Sequence, residues 1–296
     1  MTSIDLRKKT ALVTGVADNV GFAWSIAKSL ADSGAEVILA CHPRVVSIVQ
    51  RFLQGEQYAE SRLLPVAKTE FAPRIVIHCD VAYDTKADIP APVMEQKGYR
   101  DCADPSIAGM VARLREAGLG ENGRGVDIVV HAVAFSPEIK QSHLHVSRQG
   151  YLTAVNVSSY SLVGLCRALL PLMENRRAAV VALSYLAARR AVPHYGGGMA
   201  SAKAALECDA RMLAWELGKA GHRVNVVSAG TYPSRAARAI GDIEQMIEQA
   251  ASRSPLRRPI TAREVADSVL FLCSPLASGV TGEVLHVDAG YHAMGV

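Results

Sequence analysis

The sequence has few aromatic residues, no long apolar run and little net charge. Of its 296 residues, 5% are aromatic, 20% are charged and 50% are hydrophobic, and the formal net charge is +4. This composition excludes a disordered or collagen-like chain. Since no apolar stretch approaches the roughly 20 residues that cross a bilayer, we expect no membrane span. The N-terminus lacks the apolar core of a signal peptide, which favours a cytoplasmic protein or a form whose targeting segment has been removed.

Cysteine pairs and metal-ligand clusters are also lacking. The six cysteines are widely spread with no Cys-x-x-Cys spacing, and each lies in an apolar or helical context. That pattern favours buried thiols in a reducing compartment over disulfides. His143 and His145 have no evident third ligand nearby, so no metal site is predicted. The modest positive charge and the absence of a nucleic-acid motif argue against a nucleic-acid partner.

Apolar runs instead alternate with helical patterns along the whole chain. Thr10–Gly15 is predicted to be a buried strand, Gly21–Leu30 a helix and Glu36–Ala40 a second strand. Further strands are predicted at 74–79, 126–133, 179–183, 223–228 and 284–287, and further helices at 106–117, 150–173, 199–218 and 261–272. This alternation predicts an α/β fold, a doubly wound parallel sheet with helices on both faces, in a single domain over residues 1–296.

One connection interrupts the alternation. The segment Tyr83–Pro105 is polar and contains prolines. Connections of that length are usually functional or mobile.

The first strand ends in a loop that runs from Gly15 to Gly21. Glycines in a strand-to-helix turn let backbone N–H groups approach a pyrophosphate, and the helix N-terminus supplies partial positive charge. The spacing differs from the common G-x-G-x-x-G, so a plain structural turn is an equal alternative. The loop's place at the first strand–helix crossing favours a nucleotide.

The residues after the next two strands bear on which nucleotide binds. The second strand ends without the acid that usually binds a ribose 2′-hydroxyl. His42 is suited to stack on adenine, and Arg44 either accepts the 2′-phosphate of NADPH or is a solvated residue. Asp80 is placed to accept from the adenine amine, or else caps a turn. Cofactor choice is therefore open at this point.

The segment from Ser184 to Lys203 is the densest in chemistry. Three consecutive glycines precede a helix that carries Lys203 between two alanines, with Tyr195 eight residues before the lysine. Glycine costs backbone entropy, so packing alone is a poor explanation for three of them. A cation near a phenol favours the ionised or the strongly donating form of its hydroxyl. The alternative is an exposed lysine and two core tyrosines, Tyr185 and Tyr195.

These residues resemble the enoyl-acyl-carrier-protein reductases of the short-chain dehydrogenase/reductase superfamily, specifically the plant, apicomplexan and chlamydial subtype. The resemblance covers nearly the whole chain. It is carried by Gly15-Val-Ala-Asp-Asn-Val-Gly-Phe-Ala-Trp, Ser147-Arg-Gln-Gly-Tyr-Leu, Ser158-Ser-Tyr-Ser, Val192-Pro-His-Tyr-Gly-Gly-Gly-Met-Ala-Ser-Ala-Lys, Ser234-Arg-Ala-Ala-Arg-Ala-Ile, Ser274-Pro-Leu-Ala-Ser, Thr281-Gly and Val287-Asp-Ala-Gly. Ordinary ketoreductases place lysine four residues after the tyrosine, and Met199 stands there in this chain.

The resemblance implies a Rossmann-type fold and an activity. Reduced nicotinamide, NADH in preference to NADPH, would deliver hydride to the β-carbon of a trans-2-enoyl thioester carried by acyl carrier protein in fatty-acid biosynthesis. Tyr195 would donate to the developing enolate oxygen, Lys203 would hold the nicotinamide ribose, and Tyr185 would assist; these three are the expected catalytic residues. A homotetramer is also implied, and the C-terminal segment Val284–Val296 would suit a subunit contact.

The same resemblance, with the strand-end positions, gives two sets of site residues. The cofactor site would comprise Gly15, Val20, Gly21, Phe22, His42, Asp80, Val81, Ala132, Val133, Ala134, Leu183, Lys203, Ala229, Gly230, Tyr232 and Ser234. The substrate site would comprise Phe135, Tyr185, Tyr195, Ala236, Ala237 and Ile240.

Three departures from the family pattern cluster around the expected substrate. Ala132 stands where serine is usual, His194 where glycine is usual, and Thr231-Tyr232-Pro233 where a proline usually follows the glycine. They leave a specialised polyketide-type enoyl reductase as one alternative. A catalytically silent nucleotide-binding sensor is another.

The segment 83–105 corresponds to an insertion of the subtype. Residues 232–251 would form a flap over the acyl chain, in which Ile240, Ile243 and Met246 are either its apolar contacts or ordinary core residues.

Three pairs of arginines have two interpretations. The pairs at 176–177, 189–190 and 257–258 either meet an acidic carrier protein or are solvated surface.

Overall fold

The sheet consists of seven parallel strands. A computed structural model describes residues 4–238, 241 and 243–295. The strands are β1 (Thr10–Thr14), β2 (Glu36–Cys41), β3 (Ile75–His78), β4 (Ile128–His131), β5 (Ala179–Tyr185), β6 (Arg223–Ala229) and β7 (Val284–Val287). Their order is β3-β2-β1-β4-β5-β6-β7, and every pairing is parallel. The predicted doubly wound sheet is confirmed, and the winding reverses between β1 and β4.

Helices cover both faces of this sheet. They are α1 (Phe22–Asp32), α2 (Val46–Gln54), α3 (Ala59–Arg62), α4 (Ala91–Met94), α5 (Ile107–Glu116), α6 (Arg148–Val155), α7 (Ser161–Met173), α8 (Met199–Gly218), α9 (Arg235–Arg238), α10 (Ile243–Arg253) and α11 (Ala262–Cys273). The predicted helices correspond to α1, α5, α6 with α7, α8 and α11. The helices α2, α3, α4, α9 and α10 were not among those predicted from the alternation.

Strand side chains alternate between two apolar layers, as the period of a β-strand requires. Val13 and Leu39 face the layer that holds α1 and α11. Leu12 and Ile38 face the layer that holds α5, α7 and α8. Because both faces are covered, the strands are mostly apolar, and polar residues such as His131 and Tyr185 stand at their carboxyl ends.

The longest helical run contains an irregularity. Residues Asn156–Tyr160 form a π-helix between α6 and α7. The run Arg148–Met173 is long and apolar enough to cross a membrane by length and composition, whereas the sequence analysis expected no such stretch. Within the fold 56% of its apolar window is buried, and it packs on α5 and α8. These contacts are those of a core helix.

The long connection after β3 packs against the rest of the domain. It contains α4, and Tyr99 within it is 1% exposed. Gly98 has a φ of +91°, and a Cβ there would lie 2.6 Å from the carbonyl oxygen of Pro43. This contact brings the connection against the residues that follow β2.

All six cysteines are free thiols, as expected. Cys41, Cys79, Cys166 and Cys273 are buried. Burial raises the pKa of Cys41 to about 12, so that thiol stays protonated and unreactive at neutral pH.

A buried carboxylate joins the start of β1 to the start of β4. Asp127 accepts hydrogen bonds from Lys9 Nζ at 3.0 Å, Thr10 N at 2.9 Å and Arg176 Nη2 at 2.7 Å. Its side chain is 2% exposed. Three donors therefore hold the two central strands in register.

Replacing this carboxylate should destabilise the fold. We expect Asp127→Asn to lower the free energy of unfolding by about 2 kcal/mol, since charge-assisted hydrogen bonds to a buried group are lost. Chemical denaturation measures the change. The exposed Glu116, paired only with Arg113, provides the control, and Glu116→Gln should leave the unfolding midpoint unchanged. If Asp127→Asn and Glu116→Gln changed the free energy of unfolding equally, the stabilising role of Asp127 would be contradicted.

Candidate active site

The site is built where the ends of β1 and β4 meet. Gly15 follows β1 with a φ of +81°, and a Cβ there would lie 2.1 Å from the carbonyl oxygen of Ala132. Only glycine fits this approach. The winding reversal thus places the first glycine of the predicted nucleotide loop beside the residues after β4, which the sequence had assigned to the same site.

The loop from Gly15 to Gly21 is held by its own aspartate. Asp18 Oδ1 accepts from the backbone N–H groups of Val20, at 3.0 Å, and of Gly21. Gly21 is the N-cap of α1, which has no side-chain cap and no acidic residue in its first turn. The N–H groups of Val20 and Gly21 are thus occupied by Asp18, and it is the following N–H groups in the first turn of α1 that offer the partial positive charge suited to a pyrophosphate.

A second group of polar side chains lies beyond the ends of β2 and β3. His42 Nδ1 accepts from the N–H of Arg44 at 3.2 Å, so Nε2 carries the ring proton of the neutral imidazole. That nitrogen lies 3.0 Å from the hydroxyl of Tyr99, and the hydroxyl donates to Asp80 Oδ2 at 2.6 Å. Burial raises the pKa of Asp80, but hydrogen bonds from His42, Tyr99 and the Ala82 N–H outweigh it and hold the pKa below its usual value.

Arg44 is engaged by the long connection. Its Nη2 donates to Gln96 Oε1 at 2.5 Å. The arginine considered as a 2′-phosphate ligand is thus exposed yet already hydrogen-bonded.

Tyr185 and Tyr195 lie side by side. Their ring centroids are 4.9 Å apart, with 57° between the ring planes. The Tyr185 hydroxyl lies 3.3 Å from Thr231 Oγ1, which follows β6. Burial raises the pKa of Tyr195, and the neighbouring Tyr185 adds to the effect. Both phenols therefore keep their protons at neutral pH and act as donors.

Lys203 is a buried cation behind the two tyrosines. It is 4% exposed, and its Nζ donates to the Leu183 carbonyl at 2.8 Å. Burial lowers the pKa of Lys203 to about 8, against the opposing effect of Glu207. An ammonium has three donors, so this contact leaves it capacity for a ligand.

Glu207 is a site residue that the sequence analysis missed. It lies one turn after Lys203 in α8 and is 4% exposed. Its carboxylate accepts from Ser184 Oγ and from Arg189 Nε, both at 2.8 Å. It therefore fixes the end of β5, which carries Tyr185, onto the helix that carries Lys203. The sequence signal that could have identified Glu207 is an acidic residue four positions after Lys203, among the small and apolar residues of α8.

His131 also escaped the sequence analysis. It ends β4 with no solvent exposure, and its Nε2 lies 2.7 Å from Ser161 Oγ. Burial, with a smaller effect of Lys203, lowers the pKa of His131 to about 3. The ring is therefore neutral and adds no second positive charge beside the lysine.

The three glycines before α8 are required by packing, contrary to the sequence analysis. A Cβ on Gly196 would lie 1.9 Å from the carbonyl oxygen of Gln141. One on Gly197 would lie 2.4 Å from Ser136 Oγ, and one on Gly198 would lie 3.0 Å from the Tyr151 ring. Close backbone contact with residues 136–141, not a ligand, explains the three consecutive glycines. This contact also fixes the position of Tyr195 and of the start of α8.

The remaining predicted cofactor residues lie around the same cleft. Val81 follows β3, Ala132, Val133 and Ala134 follow β4, Leu183 lies in β5, Ala229 ends β6, and Gly230 follows it. Tyr232 reaches back to the first loop: its hydroxyl donates to the Val20 carbonyl at 3.0 Å, and its ring lies 4.8 Å from that of Phe22. Ser234 accepts from the N–H of Ala237 at 3.2 Å.

The predicted substrate residues are only partly described. Phe135 is 50% exposed near the cleft, and its N–H donates to Ser158 Oγ at 3.0 Å. Ala236 and Ala237 lie in α9, whereas Ile240 lies outside the described residues. Contact of these residues with a substrate stays a prediction.

A pocket lies under α10, in the segment predicted as a flap. Tyr185 and Thr231 line it at one end, Ile247 and Ala251 of α10 cover it, and Tyr291 closes it from the C-terminal segment. Ile243, one of the three predicted flap contacts, is 2% exposed and belongs to the core. An apolar chain entering here would reach the Tyr185 hydroxyl.

The lowered pKa of Lys203 predicts a pH dependence. The affinity for the expected reduced nicotinamide cofactor should be highest at pH values below 8 and several-fold lower at pH 9.5. The reason is that the Lys203 ammonium loses its proton as pH rises through about 8. Fluorescence titration measures the affinity at each pH. In Lys203→Arg the guanidinium stays charged, so the decline should disappear even if affinity is lower. A wild-type affinity that is constant from pH 7 to 9.5 would contradict the prediction.

Comparisons with known proteins agree with this geometry. A sequence model of the family described as Enoyl-(Acyl carrier protein) reductase matches residues 102–292. The chain is 42% identical over 295 residues to enoyl-[acyl-carrier-protein] reductase [NADH] 2, chloroplastic, of Oryza sativa subsp. japonica, covering 99% of this chain and 77% of that protein. It is 38% identical over 293 residues to an enoyl-[acyl-carrier-protein] reductase [NADH] of Aquifex aeolicus, covering 98% and 94%.

A solved structure extends the agreement to the fold. The crystal structure of the Plasmodium berghei enoyl-acyl-carrier-protein reductase with triclosan has a TM-score of 0.90 and 33% identity, and the match covers 97% of this chain and 98% of that one. The family model and these relatives show that the chain belongs to the enoyl-acyl-carrier-protein reductase family of short-chain dehydrogenase/reductases.

Proposed function

We propose that the protein reduces the trans-2 double bond of enoyl-acyl-carrier-protein thioesters in fatty-acid biosynthesis, with NADH as reductant. The observation that carries this proposal is the pair of contacting tyrosine rings, Tyr185 and Tyr195, at the end of β5, where the buried ammonium of Lys203 donates to the carbonyl of Leu183. Relatives named as NADH-dependent reductases of such thioesters, at 35–42% identity over nearly the whole chain, support it.

The residues fit a dinucleotide along its length. The uncapped start of α1 suits the pyrophosphate, His42 and Asp80 suit adenine, and Lys203 suits the nicotinamide ribose. NADH, when bound, supplies the hydride for the β-carbon of the substrate. The relatives named as NADH-dependent favour NADH, whereas Arg44, with one donor on Gln96, still has donors for a 2′-phosphate.

Tyr195 stabilises the charge that develops on the substrate. As hydride reaches the β-carbon, negative charge builds on the thioester oxygen as an enolate, and the α-carbon then takes a proton. The raised pKa of Tyr195 keeps its hydroxyl protonated, so it donates a hydrogen bond to that oxygen. A donor fixed beforehand at a developing oxyanion is worth about 10²–10³ in rate.

Lys203 and Tyr185 support this donor. The Lys203 ammonium, held by the Leu183 carbonyl, binds ribose hydroxyls and places positive charge near the developing enolate. Tyr185 stands between Tyr195 and the pocket under α10, where its hydroxyl meets Thr231. The pocket is little larger than a water molecule, so an acyl chain would enter it only if α10 moved away from Tyr185.

A second candidate keeps the chemistry and changes the acyl chain. Thr231 places a hydroxyl beside Tyr185, at the position where the family resemblance implies proline. That polar contact favours a specialised, polyketide-type acyl chain over a plain one. Retention of both tyrosines and the lysine argues against a silent sensor.

We also propose a homotetramer built on the outer face of α7 and α8. Met212 is 55% and Trp215 71% exposed on α8, and Leu170 is 40% exposed on α7. Large apolar side chains grouped on neighbouring helices are typical of a subunit contact. The edge strand β7, half-buried over most of its length, is the second candidate contact, in agreement with the expectation for the C-terminal segment.

The six free thiols support a reducing compartment. We therefore propose that the protein acts in the cytoplasm, although its rice relative is named chloroplastic.

The function is tested by following NADH oxidation with a trans-2-enoyl thioester, on acyl carrier protein and on a simple carrier, with NADPH in parallel. We expect substrate-dependent oxidation that is faster with NADH. Tyr195→Phe should lose about 10²–10³ in kcat while NADH binding survives, because only the enolate donor is removed.

Tyr58→Phe is the matched control for this variant. Tyr58 packs on Phe52 away from the cleft, so its activity should equal that of the wild type. Undiminished turnover in Tyr195→Phe would remove Tyr195 from the mechanism, and NADH binding without turnover of any enoyl thioester would overturn the proposed reaction.

The tetramer is tested by introducing charge into the exposed apolar face. Trp215→Glu should dissociate the assembly, because burying a carboxylate in an apolar contact is costly. Sedimentation measures the mass. Glu216→Gln, next to it on α8, removes a charge instead of adding one and should leave the mass unchanged. A wild-type monomer at micromolar concentration would refute the assembly.

A further inference from the structure

The long connection between β3 and α5 contributes one side chain to the adenosine end of the cofactor site. Tyr99 lies in the middle of this connection and is 1% exposed. Gly98 beside it packs against the Pro43 carbonyl. Tyr99 is thus the point at which the connection is anchored to the residues after β2.

The hydroxyl of Tyr99 joins two side chains that come from different strands. It donates to Asp80 Oδ2 at 2.6 Å, so its oxygen is left to accept from His42 Nε2 at 3.0 Å. The N–H of Arg44 on Nδ1 fixes the imidazole tautomer that this requires. The hydrogen bonds therefore run from Arg44 through His42 and Tyr99 to Asp80, and His42 Nε2 also lies 3.5 Å from Asp80 Oδ2 directly.

This chain of hydrogen bonds sets how both groups meet a ligand. Asp80 Oδ1 accepts from the Ala82 N–H at 3.0 Å, so both carboxylate oxygens are oriented while each keeps acceptor capacity. The His42 ring stands edge-on to Tyr99, with centroids 5.7 Å apart and an interplanar angle of 83°. The His42 side chain remains 40% exposed, which leaves ring surface for a planar base.

We infer that Tyr99 is a positioning residue for adenine: it holds the Asp80 carboxylate to accept from the exocyclic amine and the His42 ring to stack on the base. The inference rests on the proposed use of NADH. It gives the connection at 83–105 a role in cofactor affinity through a residue that does not itself touch the reacting atoms.

The test is the affinity of Tyr99→Phe for NADH and for reduced nicotinamide hypoxanthine dinucleotide, which lacks the adenine amine. The variant should bind NADH about tenfold more weakly and show a raised KM with an unchanged kcat, because an oriented, charge-assisted contact is lost far from the reacting carbon. For the hypoxanthine dinucleotide, the loss of affinity caused by Tyr99→Phe should be only about twofold. Wild-type protein should prefer NADH over that analogue by about tenfold, a comparison that needs no variant.

Tyr58→Phe is the control. It also removes one phenol hydroxyl, but Tyr58 packs on Phe52 and takes no part in the hydrogen bonds that join Arg44, His42, Tyr99 and Asp80, so NADH affinity should not change. The inference is overturned if Tyr99→Phe weakens both dinucleotides equally, if it lowers kcat at unchanged KM, or if the wild type binds the two dinucleotides alike. Because binding is measured without an enoyl substrate, absent turnover would remove the proposed reaction and leave this result standing.

Discussion

The close approach of Gly15 to the Ala132 carbonyl is the constraint on which the site depends. It exists because the chain winds outward from β1 in one direction and from β4 in the other, so the loops after these strands face each other across a gap. A side chain at position 15 would fill the gap. Because glycine has no side chain, backbone groups from one loop and side chains from the other can bind the same ligand.

Burial of the Lys203 ammonium has an energetic cost that the surrounding residues offset. Lys203 has the Leu183 carbonyl as its hydrogen-bond partner in the described part of the chain, and Glu207 lies one turn away without touching its ammonium. Glu207 instead binds Ser184 and Arg189, which keeps β5 and α8 together. The lysine is therefore held in place but left under-coordinated, with donors free for ribose hydroxyls. A direct ion pair would have stabilised the apo protein and competed with the cofactor.

The sequence alone predicted the sheet and the tyrosine–lysine constellation because those signals are local. Strand periodicity and the glycines near Tyr195 can be detected within short windows. The contacts of Tyr99, Glu207 and Thr231 were not predicted, since each joins segments far apart in the sequence. Tyr99 lies 57 positions from His42, and Thr231 lies 46 from Tyr185. The glycine run shows the converse error, because a local pattern assigned to chemistry is explained by distant backbone at residues 136–141.

Two hydroxyls in the loop after β6 distinguish this chain from the pattern of its family without changing its fold. Tyr232 joins that loop to the first loop, and Thr231 meets Tyr185. Both side chains are partly exposed, and both contacts join elements whose backbones the sheet already fixes, so substitution at these positions should change the cleft with little effect on stability. The departures at Thr231 and Tyr232 therefore leave the buried Lys203 and the paired rings of Tyr185 and Tyr195 in place.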